Sequence, residues 1–172
     1  KDARIPFVLP DDEDLAPRLD AVLEAVYAAF AIDWQDGAGD LSHEAHFLAT
    51  LLSDLMPDHA ETLGLAALIN FVEARRDAGF VDGHYVPLPQ QNTDLWNRDL
   101  CNRAIYLLNR ASALKNMGRF QLEAAIQSVH ADRQRTGETD WRALSQLYVG
   151  LLHIHPSIGA AVGRAAAVGE DA

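Results

Sequence analysis

Residues 120–168 read FQLEAAIQSVHADRQRTGETDWRALSQLYVGLLHIHPSIGAAVGRAAAV. This stretch contains two helical patterns and the start of a third, separated by stop and start signals. In the first pattern the apolar residues recur at spacings of three and four, which places them on one helix face. They are Leu122, Ala125, Ile126 and Val129. A turn at residues 136–138 follows, and Thr139 or Asp140 can cap the next helix, because either side-chain oxygen can accept a free amide hydrogen of the first turn.

The second and third patterns are one-sided in the same way. The second stripe consists of Trp141, Leu144, Leu147, Tyr148, Leu151 and Leu152, and the third begins with Ile158, Ala161, Val162 and Ala165. Pro156-Ser157 separates the two. Short, one-sided helices gain most of their stability from packing rather than from their own propensity. The stretch therefore predicts antiparallel helical hairpins that stack on one another.

Four more helical patterns precede residue 120. The first predicted helix begins at Asp14 and is followed by a turn at residues 33–39, and the second runs from Asp40 or Ser42 to Pro57. The third is capped by Asp58 with Glu61 and ends at Gly79. The fourth runs from about Asp94 to Asn116. Gly64 lies inside the third helix, where glycine costs about 1 kcal/mol relative to alanine. A close crossing of two helices would explain why glycine stands there.

The predicted fold is all-α, with antiparallel helical hairpins stacked as a tetratricopeptide-like array. It includes at most one short β-hairpin near residues 80–88, where Val81 and Tyr85 flank the turn pair Asp82-Gly83. We divide the chain into a linker at residues 1–12 and a single helical domain at residues 13–172, and we expect the chain to be a piece of a longer protein.

Composition narrows the function classes. The chain has 172 residues, of which 49% are apolar, so one domain with a real core is expected. Its net charge of −11 argues against a nucleic-acid surface, because phosphate contacts need clustered lysine and arginine. A single cysteine, Cys101, excludes a disulfide framework and fits a reducing cytoplasm. No signal peptide or membrane-spanning apolar run is present in the sequence, and we predict a cytoplasmic location with no membrane contact.

The histidines do not form a readable metal motif. His43, Glu44 and His46 resemble the zinc motif of metalloproteases. The two histidines of that motif are four positions apart, whereas His43 and His46 are three positions apart. His153 and His155 are two apart and point in different directions from a helix end. The sequence shows no nucleophile arrangement and no phosphate-binding loop. We expect no catalytic residue, no metal and no cofactor.

Five residues are candidates for contact with a partner: Trp34, Trp96, His130, Asp140 and Trp141. Trp34 falls in the predicted turn and is the best candidate for an exposed contact, although packing over a helix end is an equal alternative. Asp140-Trp141 could be a recognition aromatic beside a carboxylate, but its spacing to Leu144 favours a structural role. We expect His130 to be a core or capping residue, and Trp96, like Trp141, to have a structural role.

A set of short motifs runs along the chain: Leu9-Pro10-Asp11, Arg18-Leu19-Asp20-Ala21-Val22-Leu23, Asp40-Leu41 with Glu44-Ala45, Gly64-Leu65 with Ala67-Leu68, Ala74-Arg75, Ala124-Ala125-Ile126, Val129-His130-Ala131, Thr139-Asp140-Trp141, Leu147-Tyr148, Pro156-Ser157 and Arg164-Ala165. As an ordered set it resembles the C-terminal extension of one group of bacterial extracytoplasmic-function RNA polymerase sigma factors. These sigma factors carry a long helical, tetratricopeptide-like domain after their promoter-binding domains. The resemblance covers nearly the whole chain, and it departs from the family pattern at Asn92-Thr93, Asp33-Trp34 and Gly163.

The resemblance implies a regulatory, protein-interaction extension of a sigma factor that directs RNA polymerase to promoters in transcription initiation. Its implied partners are RNA polymerase and the promoter-binding domains of the parent sigma factor, with DNA reached only through domains absent from this chain. An exposed terminal helix could also pair two copies as a homodimer. Two alternatives stay open. One is a stand-alone small-molecule- or metal-binding helical protein, which could be an enzyme, with a pocket lined by Trp96, His130 and Trp141. The other is a generic tetratricopeptide-like adaptor.

Overall fold

The computed structural model describes residues 12–36 and 40–171, and the side chains of residues 18–33 and 41–171. The described residues contain α1 (Asp12–Asp36), α2 (Asp40–Leu55), α3 (Ala60–Glu73), α4 (Arg76–Gly79), α5 (Arg98–Ala113), α6 (Arg119–Thr136), α7 (Trp141–Ile154) and α8 (Ile158–Glu170). The predicted all-α array is confirmed. The predicted linker at residues 1–12 falls outside the described residues, except for Asp12.

A small β-hairpin lies where the sequence predicts one. Strand β1 (Phe80–Val81) pairs antiparallel with β2 (His84–Tyr85). The turn between them has positive φ angles at Asp82 (51°) and Gly83 (76°), as a two-residue hairpin turn requires. Two 3₁₀ turns, Leu88–Gln90 and Thr93–Leu95, complete the connection to α5.

Helix α3 lies at the centre of the array. It packs against α2, α5 and α6, while α1 packs on α2, α7 on α6, and α8 on α7. Eleven of its residues, including Leu63, Ile69 and Phe71, are buried. A helix that is apolar on every side is stable only when neighbours surround it. The main apolar core is therefore built around α3 by α1, α2, α5 and α6, and a second apolar cluster lies between α6, α7 and α8.

Gly64 marks a close crossing of α3 and α6. A Cβ atom at position 64 would lie 2.6 Å from the backbone nitrogen of Gln121 and 3.0 Å from its Cα. Only a residue without a side chain allows this approach. The close crossing expected from the sequence is therefore present, with the first turn of α6 as the partner.

Glu61 holds the same crossing together by hydrogen bonds. Its two carboxylate oxygens accept from the backbone nitrogens of Phe120 at 2.8 Å and Gln121 at 3.0 Å. These amides belong to the first turn of α6, where no carbonyl of the same helix can pair with them. Burial raises the pKa of Glu61, and the two amide hydrogen bonds act in the opposite direction. A side chain of α3 is thus the N-terminal cap of α6.

Several local predictions are wrong. Helix α1 begins at Asp12 rather than at Asp14, and α3 ends at Glu73 rather than at Gly79, because α4 is a separate short helix. Glu61 does not form a capping box at the start of α3, because it caps α6, and the N-cap residue of α3 is His59. The turn predicted at residues 33–39 begins later, since α1 continues to Asp36. The fourth predicted helix begins at Arg98 rather than near Asp94, because Asn97 caps it through the amides of Asp99 and Leu100.

The outer face of α8 is apolar and exposed. Ile158 is 85% exposed and Val162 is 63% exposed. This arrangement fits the expected exposed terminal helix, and the homodimer stays a prediction. In the part of the chain that the structure describes, no helix is long and apolar enough to cross a membrane.

The crossing at Gly64 can be tested by replacing this residue with alanine. Alanine is the better helix former by about 1 kcal/mol, yet its Cβ would collide with the α6 backbone. Overpacking of this kind costs typically about 1–3 kcal/mol, so we expect Gly64→Ala to lower the free energy of unfolding, measured by urea denaturation.

Gly150→Ala is the matched control. This residue is also inside a helix, but an added Cβ would meet the Leu122 side chain at an ordinary 3.7 Å. We expect this variant to be as stable as the parent chain or slightly more so. Equal stability of Gly64→Ala and Gly150→Ala would contradict the crossing described above.

Candidate functional site

Two arginine side chains contact the same tryptophan between α3 and α6. The Arg75 guanidinium carbon lies 5.9 Å from the ring centroid of Trp96, and that of Arg133 lies 5.1 Å from it. Trp96 is 3% exposed and Arg75 is 7% exposed. Such positions over an indole face are favourable cation–π contacts. We call Arg75, Gln91, Trp96, Gln127 and Arg133 the arginine–tryptophan cluster.

Hydrogen bonds connect the cluster to α6. The Nη2 of Arg75 donates to Gln127 Oε1 at 2.6 Å, and the Nη2 of Arg133 donates to the Gln91 carbonyl at 3.0 Å. Gln134 of the same helix donates to the carbonyls of Thr93 at 2.8 Å and Trp96 at 3.1 Å. Side chains of α6 thus hold the connection at residues 86–97, whose own backbone makes little regular structure.

The cluster is positively charged, and its Arg75 is buried whereas Arg133 is partly exposed. Burial lowers the pKa of Arg75 to about 10, which leaves it protonated at neutral pH. Among the described residues, no carboxylate forms an ion pair with Arg75 or Arg133. Burial, with the positive charges of both arginines, lowers the pKa of His130 to about 4. His130 is therefore neutral at pH 7 and adds no charge.

Cys101 belongs to the same neighbourhood, and its thiol is mainly in the protonated form. Burial raises the pKa of its thiol, and the positive charge of Arg75 acts in the opposite direction without reversing the shift. A thiol with a raised pKa stays protonated at neutral pH, whereas the thiolate is the reactive form.

The structure places four of the five candidate contact residues in two groups. Trp96 lies in the arginine–tryptophan cluster. His130 packs edge-on against Trp141, with ring centroids 6.2 Å apart. Trp141 also packs against the apolar cluster of α6–α8, and Asp140 caps α7 by accepting from the amide of Ala143 at 2.8 Å. Trp34 lies in α1 by its backbone, so its predicted place in a turn is wrong, and its side chain is outside the described residues.

A groove also lies along α6. Its volume is about 1040 Å³, with α6 as its floor, α5 as one wall and the start of α7 as the other. We call it the interhelix groove. Ile105 and Val129 line its apolar part, while Asp132, Glu138 and Asp140 line its polar part. Trp96, His130 and Trp141 do not line this groove, so it differs from the pocket that the sequence suggests.

A second, smaller cavity of about 410 Å³ lies among α1, α3, α6, α7 and the start of α8. Phe30, Leu68 and Leu151 supply apolar walls, and Tyr148 and Arg119 supply polar groups. Arg119 is neutralised by Glu24 at 2.5 Å and by Glu123 at 2.7 Å. The cavity is therefore mainly an apolar space with a compensated charge at its edge.

The histidines near α2 do not assemble a metal site. His46 Nε2 lies 3.3 Å from Asn70 Oδ1, and His43 and Glu44 are exposed. Within residues 12–36 and 40–171, no group of three or more histidine, cysteine, aspartate or glutamate side chains could hold a metal ion.

Comparison with known proteins gives a family without an assigned function. Residues 18–112 match a family of unknown function, DUF6596. The chain belongs to this family. It is also 36% identical over 173 residues to Uncharacterized protein R00370 of Rhizobium meliloti (strain 1021), a match that covers 96% of this chain and 41% of the relative. The chain thus spans about two fifths of the length of this relative. No solved structure matches the chain.

The DUF6596 segment ends within α5, whereas the match to the relative continues through α6–α8. Arg75, Gln91 and Trp96 lie inside the segment, and His130 and Arg133 lie beyond it. The arginine–tryptophan cluster therefore joins the DUF6596 segment to the helices that follow it.

Sequence reasoning missed Arg75, Gln91 and Arg133. Helical periodicity identifies apolar faces, and an arginine at a helix end is expected to lie in solvent. The only local signal is that Arg75 follows the most apolar helix of the chain, which brings its side chain close to the core. Its buried position depends on Trp96 and Gln127, which are distant in sequence.

Burial of neutral His130 gives stability a defined pH dependence. The ordinary pKa of histidine is 6.5, and in the folded chain that of His130 is about 4. Between these values the unfolded chain binds more protons, so the free energy of unfolding falls as pH falls from about 6.5 to about 4. We expect His130→Gln to lose less stability over this range than the parent chain, measured by urea denaturation at pH 7 and pH 5.

His153→Gln is the control, because His153 is exposed on α7. This variant should lose as much stability between the two pH values as the parent chain does. If His130→Gln also behaves like the parent chain, His130 is not buried in its neutral form.

Proposed function

We propose that the chain is the regulatory, protein-interaction extension of a bacterial sigma factor that directs RNA polymerase to promoters. In this role the chain works in the cytoplasm, has no catalytic residues and does not contact DNA itself. Its partners are RNA polymerase or the promoter-binding domains of the parent sigma factor. The observation that carries the proposal is the interhelix groove between consecutive helices of the array, together with the ordered motifs that resemble such extensions.

The interhelix groove has the form and chemistry of a protein-binding surface. It is open along α5, and Ile105 within it is 44% exposed. Helical arrays commonly use such concave surfaces to hold a peptide segment or a neighbouring domain. An apolar strip with a polar rim supports binding in which a few apolar side chains give affinity and the rim gives orientation. The side chains that line the groove are accounted for by binding alone.

Charge favours a basic partner. The net charge of the chain is −11, and promoter-binding domains carry basic DNA-facing surfaces because they bind phosphates. Complementary charge accelerates association and orients the partners. The greater length of the Rhizobium relative, of which this chain matches 41%, is in keeping with a protein that has further domains.

A small-molecule-binding protein is the second candidate, and the cavity of about 410 Å³ favours it. Ligand pockets are usually about 300–1,000 Å³ in volume and mostly apolar with a few polar groups, and this cavity has both properties. Saturable stabilisation by a small apolar compound, abolished by Leu151→Trp, would support this candidate over the first.

The groove proposal predicts that a charge within it weakens partner binding. We expect the parent chain to bind separately purified promoter-binding domains of the parent sigma factor in isothermal titration calorimetry. Ile105→Lys should weaken this association about tenfold or more, because it places a solvated ammonium group on the apolar strip; tenfold corresponds to about 1.4 kcal/mol.

Val149→Lys is the matched control. Val149 is 49% exposed on α7 and does not line the groove, so its replacement should leave the affinity unchanged. Loss of affinity in both variants would indicate a net-charge effect, and undetectable binding of the parent chain at high micromolar concentration would reject the proposed partner.

The same proposal predicts that the chain alone does not bind duplex DNA. Its net charge is −11, and neutralising phosphates requires several lysine or arginine side chains on one face. Fluorescence anisotropy at low salt should show no saturable binding up to high micromolar concentration. Micromolar affinity that weakens steeply with added salt would contradict this prediction.

A further inference from the structure

The arginine–tryptophan cluster leaves buried polar atoms without partners. Among the described residues, Arg75 Nη1, Trp96 Nε1 and Gln91 Oε1 are buried and form no hydrogen bond. Buried polar groups are nearly always paired, since an unpaired one typically costs about 1–3 kcal/mol. Three such atoms belong to one cluster, and each side chain is more than nine-tenths buried. Their concentration in one cluster points to a ligand.

The charges of the cluster define what this ligand must supply. Arg75 and Arg133 are positive, lie against the same indole ring and have no carboxylate partner among the described residues. A water molecule could accept one hydrogen bond, but it would leave the buried charge of Arg75 uncompensated, with the partly exposed Arg133 close by. Buried charges are normally paired, because a single buried ion is costly. The ligand should therefore be an anion.

The unpaired atoms narrow the class of anion further. Arg75 Nη1 and Trp96 Nε1 are donors, so the anion must offer acceptor oxygens. Gln91 Oε1 is an acceptor, so the anion must also offer an O–H group. Inorganic phosphate has both at neutral pH, because at least one of its oxygens is protonated, whereas a phosphate monoester is mostly the dianion without an O–H group. Sulfate has the same shape but no O–H group. The low exposure of Arg75 and Trp96 favours a small anion.

We propose that the arginine–tryptophan cluster is a binding site for free inorganic phosphate, held by Arg75, Trp96 and Gln91 with Arg133 as the second positive charge. Gln91 and Trp96 lie in the connection at residues 86–97, whereas Arg75 follows α3 and Arg133 belongs to α6. A bound phosphate therefore fastens this connection to the two helices. The unpaired atoms and charges that indicate this site do not depend on the interhelix groove or on the sigma-factor role.

Phosphate should stabilise the full chain in a saturable way. Thermal unfolding is measured with increasing phosphate at pH 7, and sulfate, acetate and glycerol phosphate are titrated in parallel at the same ionic strength, held with chloride. A ligand that binds only the folded state raises the unfolding midpoint. We expect the largest rise with phosphate, a smaller rise with sulfate, and little with acetate or the bulkier monoester. Nuclear magnetic resonance should also show a higher pKa of His130 in phosphate, because the anion offsets the two arginine charges.

Variants test the assignment of the contacts. Trp96→Phe keeps the aromatic ring but removes the indole donor, and Arg133→Gln removes the less buried of the two charges. Each should weaken phosphate binding about tenfold or more, as expected for loss of a charge-assisted contact. Arg135→Gln is the matched control, because Arg135 is exposed and pairs with Asp132 at 2.9 Å; it should bind phosphate like the parent chain.

Several outcomes would overturn the site. Equal stabilisation by phosphate and chloride would mean that only ionic strength matters. Equal affinity for phosphate and sulfate would show that Gln91 does not accept a hydrogen bond from the anion, and it would reject phosphate as the specific ligand. Tighter binding of glycerol phosphate than of phosphate would identify a phosphate ester as the ligand and reject the free anion. Unchanged phosphate affinity in both Trp96→Phe and Arg133→Gln would place binding elsewhere.

Discussion

The hydrogen bonds from Glu61 to the first turn of α6 determine how the rest of the chain is arranged. Glu61 lies in the first turn of α3 and accepts from two amides of α6, while Gly64, one turn later, lets the two backbones meet. A carboxylate at a helix N-terminus is stabilised by the helix dipole as well as by the amides. The direction and separation of α3 and α6 are thereby set at one end of both helices.

This crossing explains why the arginine–tryptophan cluster forms at the opposite end of α3. Because the two helices start together and run in the same general direction, Arg75 after the end of α3 reaches Gln127 in the middle of α6. Arg133 lies further along α6 and reaches the connection at residues 86–97. The cluster therefore follows from the geometry of two helices rather than from a local motif. The connection at residues 86–97 is held by hydrogen bonds to long side chains of α6 instead of by regular secondary structure.

The apolar stripes predicted the helices well because periodicity depends only on residues a few positions apart. What periodicity cannot show is which distant segment a polar side chain meets. Glu61 stands three residues after Asp58, a spacing that predicts a local cap, yet its partners are Phe120 and Gln121. The sequence predicted a structural role for Trp96, but it could not show that two arginines would cover its ring. The sigma-factor role itself rests on ordered motifs and stays a proposal.

The cluster and the interhelix groove share structural parts, which links their properties. Gln134 lines the groove, and its side chain donates to the carbonyls of Thr93 and Trp96. Cys101 also lines the groove, while its thiol senses the charge of Arg75. Any movement of the connection at residues 86–97 must therefore either move Gln134 or break its two hydrogen bonds. The groove and the cluster therefore share one packed helix, because α6 lines the groove and also carries Arg133.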